Sequence, residues 1–147
     1  MRQSKDRGFT LLELMLVVVI IGLLAAIVTP ALIGRGKEAK IQAVKAQIAN
    51  FETALDFYKM DNDNYPSTDQ GLQALRAQPS GDPPANNWKE PYLKKAVPKD
   101  PWGNDYVYTS PGKVNTDSYD IVSAGPDGKL GSDDDITNYQ ESQAAAK

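Results

Sequence analysis

The sequence contains no cysteine and no histidine. Their absence excludes disulfide bridges, the usual structural zinc sites and catalysis by a thiolate or an imidazole. An enzyme would have to rely on carboxylates, lysine, tyrosine or serine, and no nucleophile is visibly paired with a base, so an enzyme is the least favoured class. The missing cysteines do not indicate a reducing compartment, because an exported domain can be held together by a bound metal instead.

An excess of positive charge is also missing. The 16 Lys and Arg residues and the 19 Asp and Glu residues give a net charge of −3, with both signs spread along the chain. There is therefore no basic face to neutralise phosphates, and nucleic-acid binding is disfavoured. The length of 147 residues fits one domain. Because the first fifth is strongly apolar, the soluble part is nearer about 110 residues, which suffices for one modest core.

One long apolar run is present, from Phe9 to Val28, and only Thr10, Glu13 and Gly22 interrupt it. It reaches the roughly 20 residues that a helix needs to cross a bilayer. A secretory signal peptide is the alternative, since basic residues precede the run. The run exceeds the usual ~7–15 apolar residues, however, and no clear small-x-small cleavage signal follows it. Basic residues flank the run on both sides, so it is the larger acidic body after it that favours a cytoplasmic N-terminus.

Glu13 is the unusual residue of this run. A charged group deep in a spanning helix costs about 2.5–3.5 kcal/mol on insertion scales and needs a partner. Arg7 lies six residues earlier, too far to pair with Glu13 along the same helix. In one interpretation, Glu13 lies close enough to the membrane interface to reach water. In the other, cleavage between Gly8 and Phe9 creates an α-amino group one helical turn before Glu13, or beside the Glu13 of a neighbouring copy.

Gly8 and the segments "FTLLE" and "LMLVVVIIGLLAAIVTP" that follow it resemble the N-terminus shared by type IV pilins and type II secretion pseudopilins. The resemblance implies that a prepilin peptidase removes residues 1–8 as a leader and methylates the new N-terminal Phe9. It also implies that residues 9–30 form a transmembrane and assembly helix, in which Glu13 pairs with the amine of the adjacent subunit. Pro30 fits this pattern, because proline removes one backbone donor and bends or opens a helix.

Residues 31–62 are expected to continue this helix with an amphipathic pattern. Gly34 and Gly36 make its beginning a low-propensity stretch where the helix could melt. Farther on, apolar residues recur at alternating spacings of three and four and form one stripe: Ile41, Val44, Ile48, Phe51, Leu55 and Tyr58. A free-standing coiled coil is the alternative, but the pattern is short for one, so we expect the stripe to pack on the chain's own sheet. The segment from Asp61 to Pro66 ends the helix.

Residues 63–147 are expected to form a globular head. Thr68 predicts a cap for a short helix through residues 69–78, and the loop that follows, residues 79–91, is rich in proline, glycine and asparagine. Trp88 and Trp102 could form a ligand platform together with the tyrosines. Core packing and the anchoring of turns are favoured for these aromatic residues.

The sheet of this head is predicted to be small and antiparallel. Turn signals at residues 100–104 and 110–112 bracket the alternating segment Tyr106–Tyr108, and "DSYDIVSAG" predicts a second strand. These strands follow the long helix in the sequence and do not alternate with helices, so the fold class is α+β.

The segment "SAGPDGKLGSDDDITN" near the C-terminus is strongly acidic. Asp127, Asp133, Asp134 and Asp135 lie within nine positions, with glycines between them. Such closely spaced carboxylates repel one another unless a cation or solvent separates them. Ca²⁺ prefers carboxylate and carbonyl oxygens, typically six to eight of them, and glycines let a backbone wrap the ion. The spacing is not that of an EF-hand. The residues alone leave a calcium site and a solvated acidic turn as the two interpretations.

This segment resembles the C-terminal calcium loop of the major pseudopilins of type II secretion. The resemblance implies a site in residues 124–136, with Asp127 and two aspartates of the later cluster supplying side chains. Matching the pattern assigns Asp134 and Asp135, although the choice among Asp133, Asp134 and Asp135 stays open. The backbone carbonyls of Ala124, Lys129 and Ser132 would complete the ligand set.

"YPSTDQGLQAL" and "LKKAVPKDPWGNDYVY" also resemble the body of the major pseudopilins, so the resemblance covers nearly the whole chain. It implies a type IV pilin-like fold, in which the long N-terminal helix packs on the small sheet. The tail from Tyr139 to Lys147 is expected to fray.

The implied function is that of the major structural subunit of the type II secretion pseudopilus, a periplasmic filament that drives export of folded exoproteins across the outer membrane. The implied partners are copies of the same chain in a helical homopolymer, minor pseudopilins, the inner-membrane assembly platform and the prepilin peptidase. The chain would cross the inner membrane once, with its N-terminus in the cytoplasm and its head in the periplasm. The alternatives are a type IV pilus subunit and a membrane-tethered calcium-dependent binding module that never polymerises. The missing cysteines argue against a pilin with a disulfide-bounded C-terminal region.

Overall fold

The structure is a computed structural model that describes residues 9–89 and 91–139. The elements follow one another as helix α1 (Leu11–Asn62), a single 3₁₀ turn (Leu72–Leu75) and strands β1 (Val107–Thr109), β2 (Asp120–Ser123) and β3 (Ile136–Thr137). The helix precedes the strands, which confirms the α+β class. The chain divides into two compact units, one before and one after the boundary between Ala39 and Lys40.

The N-terminal unit contains the first part of α1. Thr10 directly precedes the helix, and its hydroxyl oxygen accepts a hydrogen bond from the backbone N–H of Glu13 at 3.3 Å. Thr10 is therefore the N-cap residue, and Glu13 lies in the first turn, where the partial positive charge of the helix end favours an acid. From Leu11 to Leu24 the large apolar side chains are all exposed.

The prediction of one long helix is confirmed, since α1 is assigned from Leu11 to Asn62 without a break. The helix continues through Pro30, Gly34 and Gly36, so the melting expected there is not seen. A proline costs a helix one hydrogen bond but does not end it when the turns on both sides remain helical. Within the residues that the structure describes, no helix has a long enough apolar stretch to traverse a bilayer.

The apolar stripe of α1 builds the core of the C-terminal unit. Val44, Ile48, Phe51, Leu55 and Tyr58 are all buried, and they cluster with side chains of the 3₁₀ turn and the sheet. The ring of Phe51 meets that of Tyr106 edge-on, with the ring centroids 5.1 Å apart. Full burial of one large apolar side chain stabilises the folded state by about 1.5–3 kcal/mol. The prediction that the stripe packs on the chain's own globular part is confirmed.

The end of α1 lies where the sequence predicts it. Asp63 has a positive φ of 65°, and its N–H donates to the carbonyl of Lys59 at 2.8 Å. This is the left-handed residue that commonly closes a helix. The side chain of Asn62 also donates to the carbonyl of Tyr58 at 3.1 Å, so carbonyls of the last turn are satisfied by the chain itself.

The short helix predicted after Thr68 is different in detail. Only the single 3₁₀ turn forms, and its hydrogen bonds leave Thr68 unused as a cap. Ser67 and Gln70 instead bond reciprocally, each backbone N–H donating to the other's side chain. The Thr68 hydroxyl accepts from the N–H of Ser110 at 2.9 Å and donates to its carbonyl at 3.1 Å. Thr68 therefore ties this segment to the end of β1, and its prediction as a cap was wrong.

The three strands form one antiparallel sheet in the order β1, β2, β3. Tyr108 pairs with Ile121, and Ser123 pairs with Ile136. Tyr108, Ile121 and Ile136 are buried in the core, and the Tyr108 hydroxyl donates to the carbonyl of Pro66 at 2.8 Å. The predicted antiparallel sheet is confirmed, whereas β3, only two residues long, was not predicted. β2 and β3 together hold the acidic segment as the loop between them.

Candidate functional site

The acidic loop connects β2 to β3, and we call residues 124–135 the acidic loop from here on. Its two ends are fixed by the pairing of Ser123 with Ile136. Inside it, Gly125 has a φ of +60°, and a Cβ placed there would lie 2.2 Å from the carbonyl oxygen of Asp134. Only glycine fits such an approach. The beginning and the end of the acidic loop are therefore in direct backbone contact.

Three oxygen atoms gather inside the acidic loop around the hydroxyl of Ser132. The Ser132 Oγ lies 3.3 Å from Asp127 Oδ1, 2.6 Å from Asp134 Oδ1 and 3.0 Å from the carbonyl oxygen of Lys129. A hydroxyl carries one proton and can donate it to only one of these acceptors. One carboxylate oxygen each of Asp127 and Asp134 and the carbonyl oxygen of Lys129 therefore lie close to a single hydroxyl, and Ca²⁺ prefers oxygen ligands of these kinds.

Backbone N–H groups hold the same carboxylates in place. The N–H of Lys129 donates to Asp127 Oδ1 at 2.8 Å, and the N–H of Asp127 donates to Asp134 Oδ2 at 3.3 Å. These bonds fix the orientation of both side chains. The acidic loop therefore brings Asp127 and Asp134 close to each other.

Asp135 has one satisfied and one orphaned oxygen. Its Oδ2 accepts from the N–H of Gly131 at 2.7 Å, whereas its Oδ1 is buried and has no hydrogen-bond partner within the described part of the chain. A buried carboxylate oxygen without a partner is costly and calls for a cation or a water. Asp133, by contrast, is exposed. The geometry thus separates Asp133 from Asp134 and Asp135.

The described residues contain no group of three acidic side chains close enough together to bind a metal by themselves. Carbonyl and hydroxyl oxygens must supply the rest of any ligand set, and Ca²⁺ accepts such mixed oxygen ligands. The carbonyl of Lys129 accepts from the Ser132 hydroxyl, whereas Ala124 is buried directly after β2. The Ser132 side chain, rather than only its carbonyl, lies at the centre of the oxygen cluster, and sequence reasoning missed this.

A buried carboxylate that sequence reasoning also missed lies behind the acidic loop. Asp100 is 5% exposed and accepts from the Ser123 hydroxyl at 2.7 Å and from the Asn104 N–H at 2.8 Å. Burial raises the pKa of Asp100, but the hydrogen bonds from Ser123, Asn104 and Trp102 outweigh burial, so the pKa lies below its ordinary value. The only sequence signal was the turn at residues 100–104, which indicated a bend and no role for the side chains.

The second candidate site is the beginning of α1. Phe9 is 77% exposed directly before the capping residue Thr10, and Glu13 is exposed in the first turn. Thr10 and Glu13 have the spacing of a capping box, a signal that the sequence reading overlooked. Gly8 and the rest of the 1–8 leader lie outside the described residues, as does most of the tail from Tyr139 onward. Pro30, predicted to serve assembly, lies within α1.

Comparison with known proteins gives two family matches that together cover most of the chain. Residues 31–139 match the family model of type II secretion system (T2SS), protein G, and residues 3–29 match the prokaryotic N-terminal methylation motif. The chain belongs to the type II secretion system protein G family. This confirms the resemblance to the major pseudopilins and the prediction that the chain is a structural subunit of the type II secretion pseudopilus and not an enzyme.

Individual relatives agree over nearly their whole lengths. A type II secretion system core protein G from Escherichia coli is 52% identical over 137 residues, 92% of this chain and 92% of that protein. Another from Pseudomonas aeruginosa is 48% identical over 143 residues, 95% of this chain and 99% of that protein. The crystal structure of the major pseudopilin from the type 2 secretion system of enterohaemorrhagic Escherichia coli matches with a TM-score of 0.65 and 40% identity. That match covers 73% of this chain and 92% of the crystallised one, and it supports the fold described above.

Proposed function

We propose that the chain is made as an inner-membrane precursor, is cut between Gly8 and Phe9, is methylated at Phe9 and then polymerises into a periplasmic filament. The head faces the periplasm, and the N-terminal part of α1 crosses the inner membrane once before assembly. Copies of the chain, minor pseudopilins, the inner-membrane assembly platform and the prepilin peptidase are its partners. The filament drives folded exoproteins through the outer membrane.

The observation that carries this proposal is the surface of α1 between Leu11 and Leu24. Its large apolar side chains are between 44% and 78% exposed, one after another around the helix. A contiguous apolar surface of this kind needs lipid or other protein around it. Lipid fits the precursor, and neighbouring copies of the same helix fit the filament, since a head-to-tail contact that does not close a ring propagates as a helix.

Glu13 links neighbouring subunits by pairing with a new positive charge. In the first turn it is favoured by the partial positive charge of the helix end, and cleavage adds the α-amino group of Phe9 one turn earlier. In the membrane, an acid with no cation nearby is costly. The pairing of Glu13 with the Phe9 amine of an adjacent subunit removes that cost only when both chains are processed and in contact.

The first turn of α1 allows a direct test of the charge pairing, because one residue carries the charge, Glu13, and another provides the helix cap, Thr10. Glu13→Gln keeps the size and the polar side chain but removes the charge. Thr10→Ala keeps the charge but removes the cap, at a cost of about 1 kcal/mol. We expect Glu13→Gln to insert in the membrane with a folded head and to form no filaments in electron micrographs. We expect Thr10→Ala to form them.

Cysteine pairs introduced between Leu16 and Leu24 provide an independent readout. Oxidative cross-linking of the wild-type background should give a ladder of multimers, which Glu13→Gln should lose and Thr10→Ala should keep. Normal ladders from Glu13→Gln would refute the charge pairing. A single band from the wild-type background would favour the tethered module that does not polymerise. Filaments that extend outside the cell would favour a type IV pilus subunit.

We also propose that the acidic loop binds Ca²⁺. Asp127, Asp134 and Asp135 would supply side-chain oxygens, and the carbonyls of Ala124, Lys129 and Ser132 would supply the rest. The support is the oxygen cluster around Ser132 and the orphaned Oδ1 of Asp135. When bound, the ion neutralises the repulsion among the carboxylates. The residues of the acidic loop themselves keep the backbone turn and the carboxylate orientations that the ion needs.

Calcium binding is tested by melting the full chain in mild detergent, with calcium and with a chelator. A ligand at about 100 times its Kd stabilises the folded state by about 2.7 kcal/mol. We expect the chelator to lower Tm, Asp127→Ala to abolish the calcium effect, and Asp133→Ala, the exposed neighbour, to keep it. A wild-type melting curve that calcium leaves unchanged would show that the acidic loop is a solvated turn.

A further inference from the structure

A network outside the acidic loop holds its first residues in place. Asp100 lies at the centre, and its Oδ2 accepts from the hydroxyl of Ser123, which is fully buried at the end of β2. Its Oδ1 accepts from the backbone N–H groups of Trp102 and Asn104 at 3.0 and 2.8 Å. The turn at residues 100–104 and the end of β2 are therefore tied to one buried carboxylate.

Asn104 extends this network into the acidic loop. Its side-chain N–H₂ group lies within hydrogen-bond distance of Asp100 Oδ2 at 3.4 Å and of the carbonyl oxygen of Gly125 at 3.3 Å. Its other amide atom lies beside Gly128, where an added Cβ would be 3.4 Å from the Asn104 oxygen. One amide thus bonds to Gly125 and lies next to the space in front of Gly128, two glycines on either side of Asp127.

Gly125 is where the network reaches the oxygen cluster. Its N–H donates to the Ser123 hydroxyl at 3.4 Å, and its carbonyl accepts from Asn104. Its α-carbon leaves no room for a side chain against the backbone of Asp134. A shift of Gly125 therefore moves Asp127 and Asp134 relative to each other. No side chain of the network is one of the ligands assigned above.

We infer that Asp100 and Asn104 are positioning residues for the calcium site, which hold Gly125 so that Asp127 and Asp134 face each other before the ion arrives. This inference rests on the proposed binding of calcium by the acidic loop. A site that is ordered in advance loses less conformational entropy when it binds. Groups that orient metal ligands commonly account for about 10–100-fold in metal affinity.

The test compares Asn104→Ala with a matched control, Asn115→Ala. Asn115 is also half-buried, and its side chain also donates to a backbone carbonyl, that of Tyr119 at 3.1 Å, but outside the acidic loop. Calcium affinity of each full chain in mild detergent is measured by isothermal titration calorimetry. Tm is measured separately in chelator, so that loss of stability and loss of affinity are distinguished.

We expect both variants to lower Tm in chelator, and only Asn104→Ala to raise the Kd for calcium, by about 10-fold or more. If Asn104→Ala raises the Kd no more than Asn115→Ala does while the wild type binds calcium, the positioning role is refuted and the calcium site stands. If the wild type binds no calcium, the calcium site itself is refuted and this inference with it.

A second variant guards against misfolding of the first. Ser123→Ala removes the hydroxyl that links Asp100 to the N–H of Gly125. Hydrogen exchange in chelator should then be faster at residues 124–129 for both Ser123→Ala and Asn104→Ala, and unchanged there for Asn115→Ala. Unchanged exchange in the acidic loop of both variants would overturn the inference even if Tm falls.

Discussion

Replacing Gly125 by alanine tests whether the two ends of the acidic loop are held in direct contact. The added Cβ would lie 2.2 Å from the carbonyl oxygen of Asp134 and 3.0 Å from its carbonyl carbon. These are backbone atoms, which cannot rotate away as a flexible side chain can. The backbone of Gly125 is also left-handed, with a φ of +60°. Gly125→Ala therefore adds a steric clash to a backbone strain.

The structure provides a control at Gly131 in the same loop. Its φ of +86° is also positive, but an added Cβ meets no atom of the described residues within 4 Å. The left-handed conformation costs about 1–2 kcal/mol for a residue with a side chain. Forcing extra atoms into a packed site costs about 1–3 kcal/mol more. Gly131→Ala should therefore lose about 1–2 kcal/mol, and Gly125→Ala about 2–5 kcal/mol.

The assay is thermal unfolding of the full chain in mild detergent with chelator present, followed by near-ultraviolet circular dichroism. For a folded unit of this size, about 1 kcal/mol corresponds to a shift of about 4 °C. We expect Tm to fall by about 4–8 °C for Gly131→Ala and by about 8–20 °C for Gly125→Ala. Equal losses in the two variants would show that Asp134 does not lie against Gly125, and the geometry of the proposed calcium site would be wrong.

Three further predictions concern the core and the buried ionisable groups. Tyr108→Phe should lower the free energy of unfolding by about 1–3 kcal/mol because the buried carbonyl of Pro66 loses its donor, whereas Tyr106→Phe should cost less, and thermal melting distinguishes them. The pKa of Asp100 is depressed in the folded state, so its contribution to stability is present above the ordinary value of 3.8 and is lost as pH falls through the folded pKa; Asp100→Asn should flatten the acid limb of a plot of Tm against pH. Burial raises the pKa of Tyr106 to about 12 and also raises the pKa of Tyr108 and Tyr119. The protonated tyrosines therefore contribute fully to the free energy of unfolding below pH about 10, and this contribution is lost as the pH rises through the folded pKa values. Tyrosinate absorbance should accordingly rise together with unfolding and not before it.

The parts of the fold that could be predicted from the sequence are those in which a periodic pattern and a buried surface agree. The apolar residues of the stripe from Val44 to Tyr58 recur with helical spacing, and all of them are buried. The segment that became β1 alternates and lies between turn residues. Because burial selects apolar residues at several positions of each pattern, one residue that departs from the pattern does not obscure it.

The parts that could not be predicted depend on contacts between residues far apart in the sequence. β3 has only two residues, and they form a strand because they pair with Val122 and Ser123 of β2. The local sequence predicts Thr68 as a helix cap, but its hydroxyl bonds instead to Ser110, 42 positions later. For the same reason, Asn104 gave no sign of its contact with Gly125.

The acidic loop shows the same division. Its composition predicted an oxygen-rich turn that could hold a calcium ion, but composition could not choose among three consecutive aspartates. The choice depends on which side chains the turn buries: Asp133 points to solvent, whereas Asp135 has a buried oxygen. Side-chain direction within a glycine-rich turn follows from backbone angles that the sequence does not specify.

The most direct test of assembly through the cleaved N-terminus is the mass of the N-terminal peptide of the chain recovered from assembled filaments. Assembly as proposed needs the amine that cleavage creates opposite the Glu13 of a neighbour. We expect a peptide that begins at Phe9 and carries one added methyl group. Filaments built from chains that still begin at Met1 would contradict it.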